Sequence, residues 1–339
     1  MTIFQPCGLS KKYKDYKFCQ KKDLLIILHD IVVQKMVKKS VNKLNKEQEK
    51  ATFTLNGPLL ILAGAGAGKT KTLVERIVNL IKSGTEPGNV LAITFTNKAA
   101  KEMRERIQDR LIGELDLKYS LETRPFVSTF HALGVNIIRE QSQKLGIPKH
   151  FAIYDRNESK KAIREALNDL DLDPKKFEPG KILGIISKEK GNMVDVEEYT
   201  SEHQDHMGKI ISKIWNVYEK KLHNEKALDF DDLLLKAVKL LKNPEILSHY
   251  QNRWIYIHID EYQDTNHVQY EMSRLLAQKN KNICVVGDID QNIYSWRGAK
   301  LKNILNFEKD YPEAEIILLE ENYRSTKTIL QAANLIIEK

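Results

Sequence analysis

Cysteine is scarce in this 339-residue chain: Cys7, Cys19 and Cys284 are the only three. So few, and an odd number, cannot build a disulfide framework, and they fit a reducing intracellular compartment. Long hydrophobic runs are missing as well. The longest, Leu24 to Val33, is interrupted by His29 and Asp30 and is too short to cross a bilayer. It also has no small-residue cleavage site, so it does not read as a secretory signal. Glycine (16) and proline (9) are too few for a collagen-like or low-complexity chain. Arginine is sparse, 12 residues against 42 lysines. What is present is a 42% hydrophobic fraction, ample for one large or two ordinary packed domains. A soluble, cytoplasmic, globular protein without membrane partners is the expectation.

The net charge of +8 invites a nucleic-acid reading, but most of it sits in one place. Residues 1–43 hold ten Lys and three Asp, a net of +7, which leaves +1 for the rest. Such a basic arm can touch phosphates or be a solvated leader. Charge alone does not decide between them.

From Leu44 onward short apolar runs alternate with helical patterns. Leu59–Leu62, Val90–Thr94, Phe126–Ser128, Ile255–Ile259, Ile283–Val286 and Ile316–Leu319 read as strands. Leu73, Val74, Ile77, Val78 and Ile81 recur at helical spacing after Lys69, and Gly84 supplies a stop. Asn97 is placed to cap a helix through Met103 and Ile107. This alternation predicts a parallel sheet with helices on both faces. Residues 138–226 read differently, as helices over Ser159–Leu170, Lys181–Lys188 and Met207–Leu222 with no convincing strand. In the last helix Met207, Ile210, Ile211, Ile214, Val217, Tyr218 and Leu222 form one apolar stripe. A mostly helical insertion is the expectation. The apolar residues Ile329 to Ile337 suggest a helix running to Lys339 with no stop, as if the chain ended inside a domain.

Ala63-Gly-Ala-Gly-Ala-Gly-Lys-Thr70 follows one predicted strand and opens a predicted helix, the setting of a P-loop. Small residues let backbone N–H groups of Ala65, Gly66, Ala67 and Gly68 wrap phosphate oxygens, and the helix N-terminus adds positive potential. Lys69 is placed to reach the β- and γ-phosphates, and Thr70 to bind Mg²⁺ through its hydroxyl. Asp260 and Glu261 follow another strand, Asp260 as a second Mg²⁺ partner and Glu261 as the base that deprotonates an attacking water. Gln291, four residues beyond Gly287, is a candidate γ-phosphate sensor. These residues, with Thr94-Phe95 and Thr129-Phe130-His131, all follow predicted strands, and open parallel sheets bind ligands along that edge.

The same residues carry a family pattern. Leu44-Asn-Lys-Glu-Gln48, the P-loop, Thr94-Phe-Thr-Asn-Lys-Ala-Ala100 and Thr129-Phe-His131 come first. Asp229-Phe-Asp-Asp-Leu233, Asp260-Glu-Tyr-Gln-Asp-Thr-Asn266, Gly287-Asp-Ile-Asp-Gln-Asn-Ile-Tyr-Ser-Trp-Arg-Gly-Ala299 and Asn322-Tyr-Arg-Ser325 follow. In these segments the chain resembles the UvrD/Rep/PcrA group of superfamily-one DNA helicases from Leu44 to Lys339. The resemblance implies a RecA-like sheet, ATP and Mg²⁺ as ligands, and ATP-driven 3′-to-5′ movement along single-stranded DNA with unwinding of 3′-tailed duplexes. It implies repair or replication proteins as partners. It divides the chain into a basic extension (1–43), a motor domain in two parts (44–137 and 227–311), an insertion (138–226) and the start of a second motor domain (312–339). Gln48 resembles the adenine-reading glutamine, Tyr323 the residue stacking on the adenine, and Arg324 a γ-phosphate contact. Phe95, Asn97, Lys98, His131, Tyr294, Trp296 and Arg297 match DNA-contacting positions, where aromatic faces stack on any base.

Departures from the pattern are few. Ala67 stands where a Ser is frequent, Ile289 and Asn292 where Asp and Ser are, and residues 1–43 have no counterpart. The family's later motifs lie past Lys339, so the expectation for this chain alone is weak ATP–Mg²⁺ binding and little unwinding. Two alternatives remain. One is a different motor role, as a translocase or the motor half of a helicase–nuclease. The other is a truncated module that holds single-stranded DNA without turnover.

Overall fold

The computed structural model describes residues 44–115, 124–288 and 302–331. The chain begins its regular structure with helix α1 (Lys46–Phe53), strand β1 (Leu59–Ala63), helix α2 (Lys69–Lys82), strand β2 (Val90–Thr94), helix α3 (Asn97–Leu115), strand β3 (Phe126–Thr129) and helix α4 (Phe130–Glu140). A short strand β4 (Ala152–Tyr154) and helices α5 (Arg156–Asp169), α6 (Pro179–Gly191), α7 (Val196–Glu202) and α8 (His206–Asn224) follow. The chain then returns through β5 (Ala227–Asp229), α9 (Phe230–Leu241), α10 (Pro244–Arg253), β6 (Tyr256–Ile259), α11 (His267–Ala277) and β7 (Ile283–Gly287). Two one-turn helices, α12 (Lys302–Leu305) and α13 (Phe307–Asp310), precede β8 (Glu315–Leu319).

Six strands form one sheet in the order β3-β2-β6-β7-β1-β8, parallel in every pairing. All six were predicted, each within a residue or so of its observed ends. Their burial on both faces explains the near-continuous apolar runs: β2 and β7 have no exposed residue. One face packs a core that includes Leu60, Leu91, Ile93, Phe130, Ile257 and Ile259. The other packs Leu59, Ile61, Leu73, Ile77, Ala92 and Val286, with α2 laid along it. Register brings the C-terminal ends together, with Leu62 beside Gly287, Ala63 beside Leu319, Ile93 beside Ile259 and Thr94 beside Thr129. That shared edge is where the predicted functional segments begin.

Two expectations need correction. Residues 138–226 do contain a strand: β4 pairs in parallel with β5, Ala152 opposite Ala227 and Tyr154 opposite Asp229, where the chain leaves for the helices and returns. Three residues per strand are too few for an alternation to be visible. The boundary at 138 also falls inside α4, and Ile137, Ile138 and Phe151 pack in the sheet's core. Strand β8, in the segment 312–339, pairs with β1 as the sheet's edge strand, which does not by itself test the division expected near 312.

The inserted helices have a core of their own, including Ile163, Leu167, Ile186, Ile214, Trp215 and Tyr218. Ile211, Leu222 and Tyr218 of the predicted stripe are buried, but Met207 is half exposed at the first turn of α8. A buried ion cluster joins this core to the sheet-bearing part. Lys190 Nζ on α6 lies 2.7 Å from Glu219 Oε1 on α8, 2.8 Å from Asp229 Oδ2 on β5 and 3.0 Å from Asp232 Oδ1 on α9. Tyr218 donates its hydroxyl to Asp229 Oδ2 at 2.9 Å, and Asp229 Oδ1 caps α9 by accepting from Asp232 N–H at 2.8 Å. No helix among the described residues is long and apolar enough to cross a membrane.

Candidate nucleotide site and strand track

The turn from β1 into α2 has the backbone that its small residues were read to permit. Gly66 and Gly68 adopt φ of 76° and 81°, the left-handed region open to glycine, and Gly68 is the N-cap of α2. There is also no room for a side chain: a Cβ on Gly68 would lie 2.8 Å from Gln48 Nε2, and one on Gly66 2.6 Å from Arg324 Cβ. Ala67 is buried, so its methyl group fills space that a Ser hydroxyl would share. The cradle Ala65–Gly68 thus lies between two predicted ligand-reading residues.

Gln48 is buried and donates from Nε2 to Ala67 O at 2.9 Å. Its helix is held in place by buried Arg76 of α2, which donates to Ala51 O and Leu55 O, both at 3.2 Å. On the other side the segment after β8 folds over the loop. Tyr323 N–H donates to Gly66 O at 3.0 Å, and Asn322 Nδ2 donates to Ala65 O. Asn322 Oδ1 in turn accepts from Arg324 N–H at 2.9 Å and Ser325 N–H at 2.7 Å. The side chains of Tyr323 and Arg324 are exposed. Sequence reasoning gave Asn322 no role of its own, although Asn before a turn is a known device for closing backbone bonds of this kind.

At the floor, Lys69 is buried with Nζ 3.6 Å from both Glu261 Oε2 and Asp288 Oδ2, and it makes no hydrogen bond within the described residues. Thr70 Oγ1 donates to Asp260 Oδ2 at 3.0 Å. Asp260 is buried, and burial together with the neighbouring Glu261 charge pushes its carboxyl up to about 6. A buried ammonium with no hydrogen bond and a carboxyl whose charge is destabilised are what a phosphate and a hard cation would repair. Thr70 and Asp260 are oxygen donors, and Mg²⁺ binds through one or two such groups plus phosphate oxygens, so the donor set fits. Among the described residues there is no group of three His, Cys, Asp or Glu able to hold a metal by itself.

Glu261 adopts φ 53° and ψ 46°, a left-handed backbone that a non-glycine residue takes at a cost of about 1–2 kcal/mol. Its partly exposed side chain turns to the phosphate edge, where Oε2 accepts from Gln263 Nε2 at 2.8 Å. Asp264, one turn on, is buried with Oδ1 unpaired, and burial plus the Glu261 charge raises it to about 6.

The positions expected to contact DNA follow β2 and β3 along the same edge. Phe95 is partly buried and meets Phe130 edge-on at 6.4 Å, and Asn97 and Lys98 are exposed on the first turn of α3. Asn97 is not the cap of that helix. Thr96 is, its Oγ1 accepting from Ala99 N–H at 3.1 Å, which leaves the Asn97 side chain to solvent. His131 stands partly exposed after the Thr129 cap. It meets an aromatic the sequence reading passed over: Phe230, 49% exposed, with ring centroids 5.6 Å apart. The signal was a Phe beside Asp229, at the first position of a helix whose core-facing residues are Leu233, Leu234 and Ala237. Gln291, Tyr294, Trp296 and Arg297 lie outside the described residues.

Comparison with known proteins agrees with this arrangement. The family model for the UvrD/REP helicase N-terminal domain matches residues 44–312. The "ATP-dependent DNA helicase PcrA" of Staphylococcus aureus is 48% identical over 300 residues, covering 88% of this chain and 40% of that protein. Its namesake from Staphylococcus epidermidis is 47% identical over 301 residues, with the same coverage. The chain therefore spans about 40% of the length of these curated relatives. With a parallel sheet, a phosphate cradle at the end of β1 and this match over most of its residues, the chain belongs to the UvrD/REP helicase family.

Proposed function

We propose that this chain is the nucleotide-hydrolysing part of an ATP-dependent DNA helicase that moves 3′ to 5′ along single-stranded DNA and opens 3′-tailed duplexes. The cradle Ala65–Gly68 binds the phosphates of ATP, Gln48 and Tyr323 face its base, and Arg324 approaches its γ-phosphate. Thr70 and Asp260 would hold Mg²⁺, which would supply neutralisation of phosphate charge. Lys69 supplies a fixed positive charge in a buried setting, where it acts more strongly than in water. Glu261 orients a water and accepts its proton.

Along the same edge Phe95, His131 and Phe230 offer ring faces and edges to unstacked bases, and Asn97 and Lys98 offer donors to the phosphate backbone. Tyr294, Trp296 and Arg297 extend that track, and Gln291 senses the γ-phosphate. Stacking of this kind contributes about 1–3 kcal/mol per base without reading sequence, which suits a motor stepping along any strand. We place the insertion at 152–226 and the sheet-bearing motor part on either side of it. A cytoplasmic setting with repair or replication proteins as partners belongs to the same proposal.

The observation that carries the reading is buried Lys69 and Asp260, with partly buried Thr70 between them and Glu261 alongside; the lysine makes no hydrogen bond within the described residues, and Thr70 lies 3.0 Å from the aspartate. The test is DNA-stimulated ATP hydrolysis by the chain and by Glu261→Gln. The variant should bind ATP–Mg²⁺ as tightly as the parent and hydrolyse it at least about 100-fold more slowly. Equal rates in the two would leave a DNA-holding module without turnover.

A further inference from the structure

Gln263 is 1% exposed, in the short turn Tyr262–Asp264 directly after Glu261. Two bonds of its amide run in different directions. Nε2 donates to Glu261 Oε2 at 2.8 Å, and Oε1 accepts from Asp288 N–H at 3.0 Å, at the residue that follows β7. The fit is tight, since a Cβ on Gly287 would lie 2.9 Å from Gln263 Oε1 and 2.6 Å from Ile304 Cδ1. A glutamine amide carries a donor and an acceptor on one rigid plane, one methylene further from the backbone than asparagine's. The next residues of the turn make a second tie: Asn303 Nδ2 donates to Thr265 O at 2.9 Å and to Thr265 Oγ1 at 3.1 Å, with both residues buried.

The two contacts on the Glu261 carboxylate converge on one oxygen. Oε2 accepts from Gln263 and also lies 3.6 Å from Lys69 Nζ, while Oε1 accepts no hydrogen bond among the described residues. Glu261 has an unusual backbone and a partly exposed side chain, so its own packing does not select one orientation. The Gln263 amide does.

We propose that Gln263 is a positioning residue: it pins Glu261 by Oε2, reserves Oε1 for the proton of the attacking water, and registers that carboxylate to the end of β7. This rests on the nucleotide reading above and adds the group that orients its base. Two variants separate the two bonds. Gln263→Met removes both. Gln263→Glu keeps the acceptor for Asp288 N–H but, as a carboxylate, has no proton to give Glu261.

In both variants kcat for ATP hydrolysis with single-stranded DNA should fall about tenfold or more. KM for ATP should stay within about threefold, because Lys69, Thr70 and Asp260 are untouched. Amide exchange at Asp288, measured without nucleotide, should be slow in the parent and in Gln263→Glu and fast in Gln263→Met. Unchanged kcat in both variants, or a loss carried by KM, overturns the proposal. So does equal Asp288 protection in all three proteins. If the parent hydrolyses no ATP, the nucleotide reading fails by itself, and the exchange comparison alone then decides whether Gln263 makes its tie.

Discussion

Among the described residues two lysines are buried among carboxylates, and they are treated in opposite ways. Lys190 has three acidic oxygens at 2.7, 2.8 and 3.0 Å, and two of its partners are bonded further, to a tyrosine hydroxyl and a tryptophan N–H. Lys69 has two at 3.6 Å and no hydrogen bond among the described residues. A buried charge with every bond made is structure: it joins two helices of the insertion to β5 and α9. A buried charge held short of its bonds marks a candidate site, because a ligand can supply the missing partners. The comparison separates fold from function without using the identity of either residue.

Replacing the two lysines should therefore move different measurements. Lys190→Met leaves buried Asp229 without its ion pair and Asp232 with Lys236 alone, 3.7 Å away, and should lower unfolding free energy by about 3–5 kcal/mol in urea titrations. ATP affinity of the fraction still folded should stay unchanged. Lys69→Met should do the reverse. Affinity for ATP–Mg²⁺ falls by roughly 10–100-fold, the worth of about 1.5–3 kcal/mol for a charged hydrogen bond, while the urea midpoint stays near the parent's. If Lys69→Met instead unfolds the protein as Lys190→Met does, the distinction between the two lysines is lost.

A third buried cation-former sharpens the same contrast. His258 on β6 lies in register between Ala92 and Cys284, and burial, with the Arg76 charge beside it, holds its imidazole well below the usual histidine range. The unfolded chain takes up a proton below about pH 6.5 and the folded chain does not, so stability is present above that pH and is lost as pH falls. The expected slope is up to about 1.4 kcal/mol per pH unit between roughly pH 6.5 and 5, and His258→Leu should remove it. The smallest effect belongs to Asn322. Asn322→Ala should cost about 1 kcal/mol and speed amide exchange at Arg324 and Ser325, with the rest of the sheet unaffected.

Most of the sheet was legible because β2, β7 and their neighbours are buried on both faces, and the sequence records that as unbroken apolar runs. The cradle was legible because glycine at 66 and 68 is what a left-handed turn against Gln48 and Arg324 requires. Other features left no mark. Strands β4 and β5 are too short for a period. The choice of Thr96 over Asn97 as cap turns on a single residue, and both types cap well. Met207 carries the right spacing but sits one turn beyond the core. The Lys190 cluster and the Gln263 ties join residues far apart in the chain or hidden in polar turns, where composition looks like solvent-facing sequence. Periodicity reports burial of apolar faces. It does not report which polar groups meet inside.

Strand β8 leads almost directly from the sheet edge to Asn322 and Tyr323, whose bonds end on the carbonyls of Ala65 and Gly66. A displacement of the polypeptide at Asn322 and Tyr323 therefore acts directly on the Ala65–Gly68 turn through two hydrogen bonds. On the proposed nucleotide reading, the hold on the phosphates and the position of that segment are coupled.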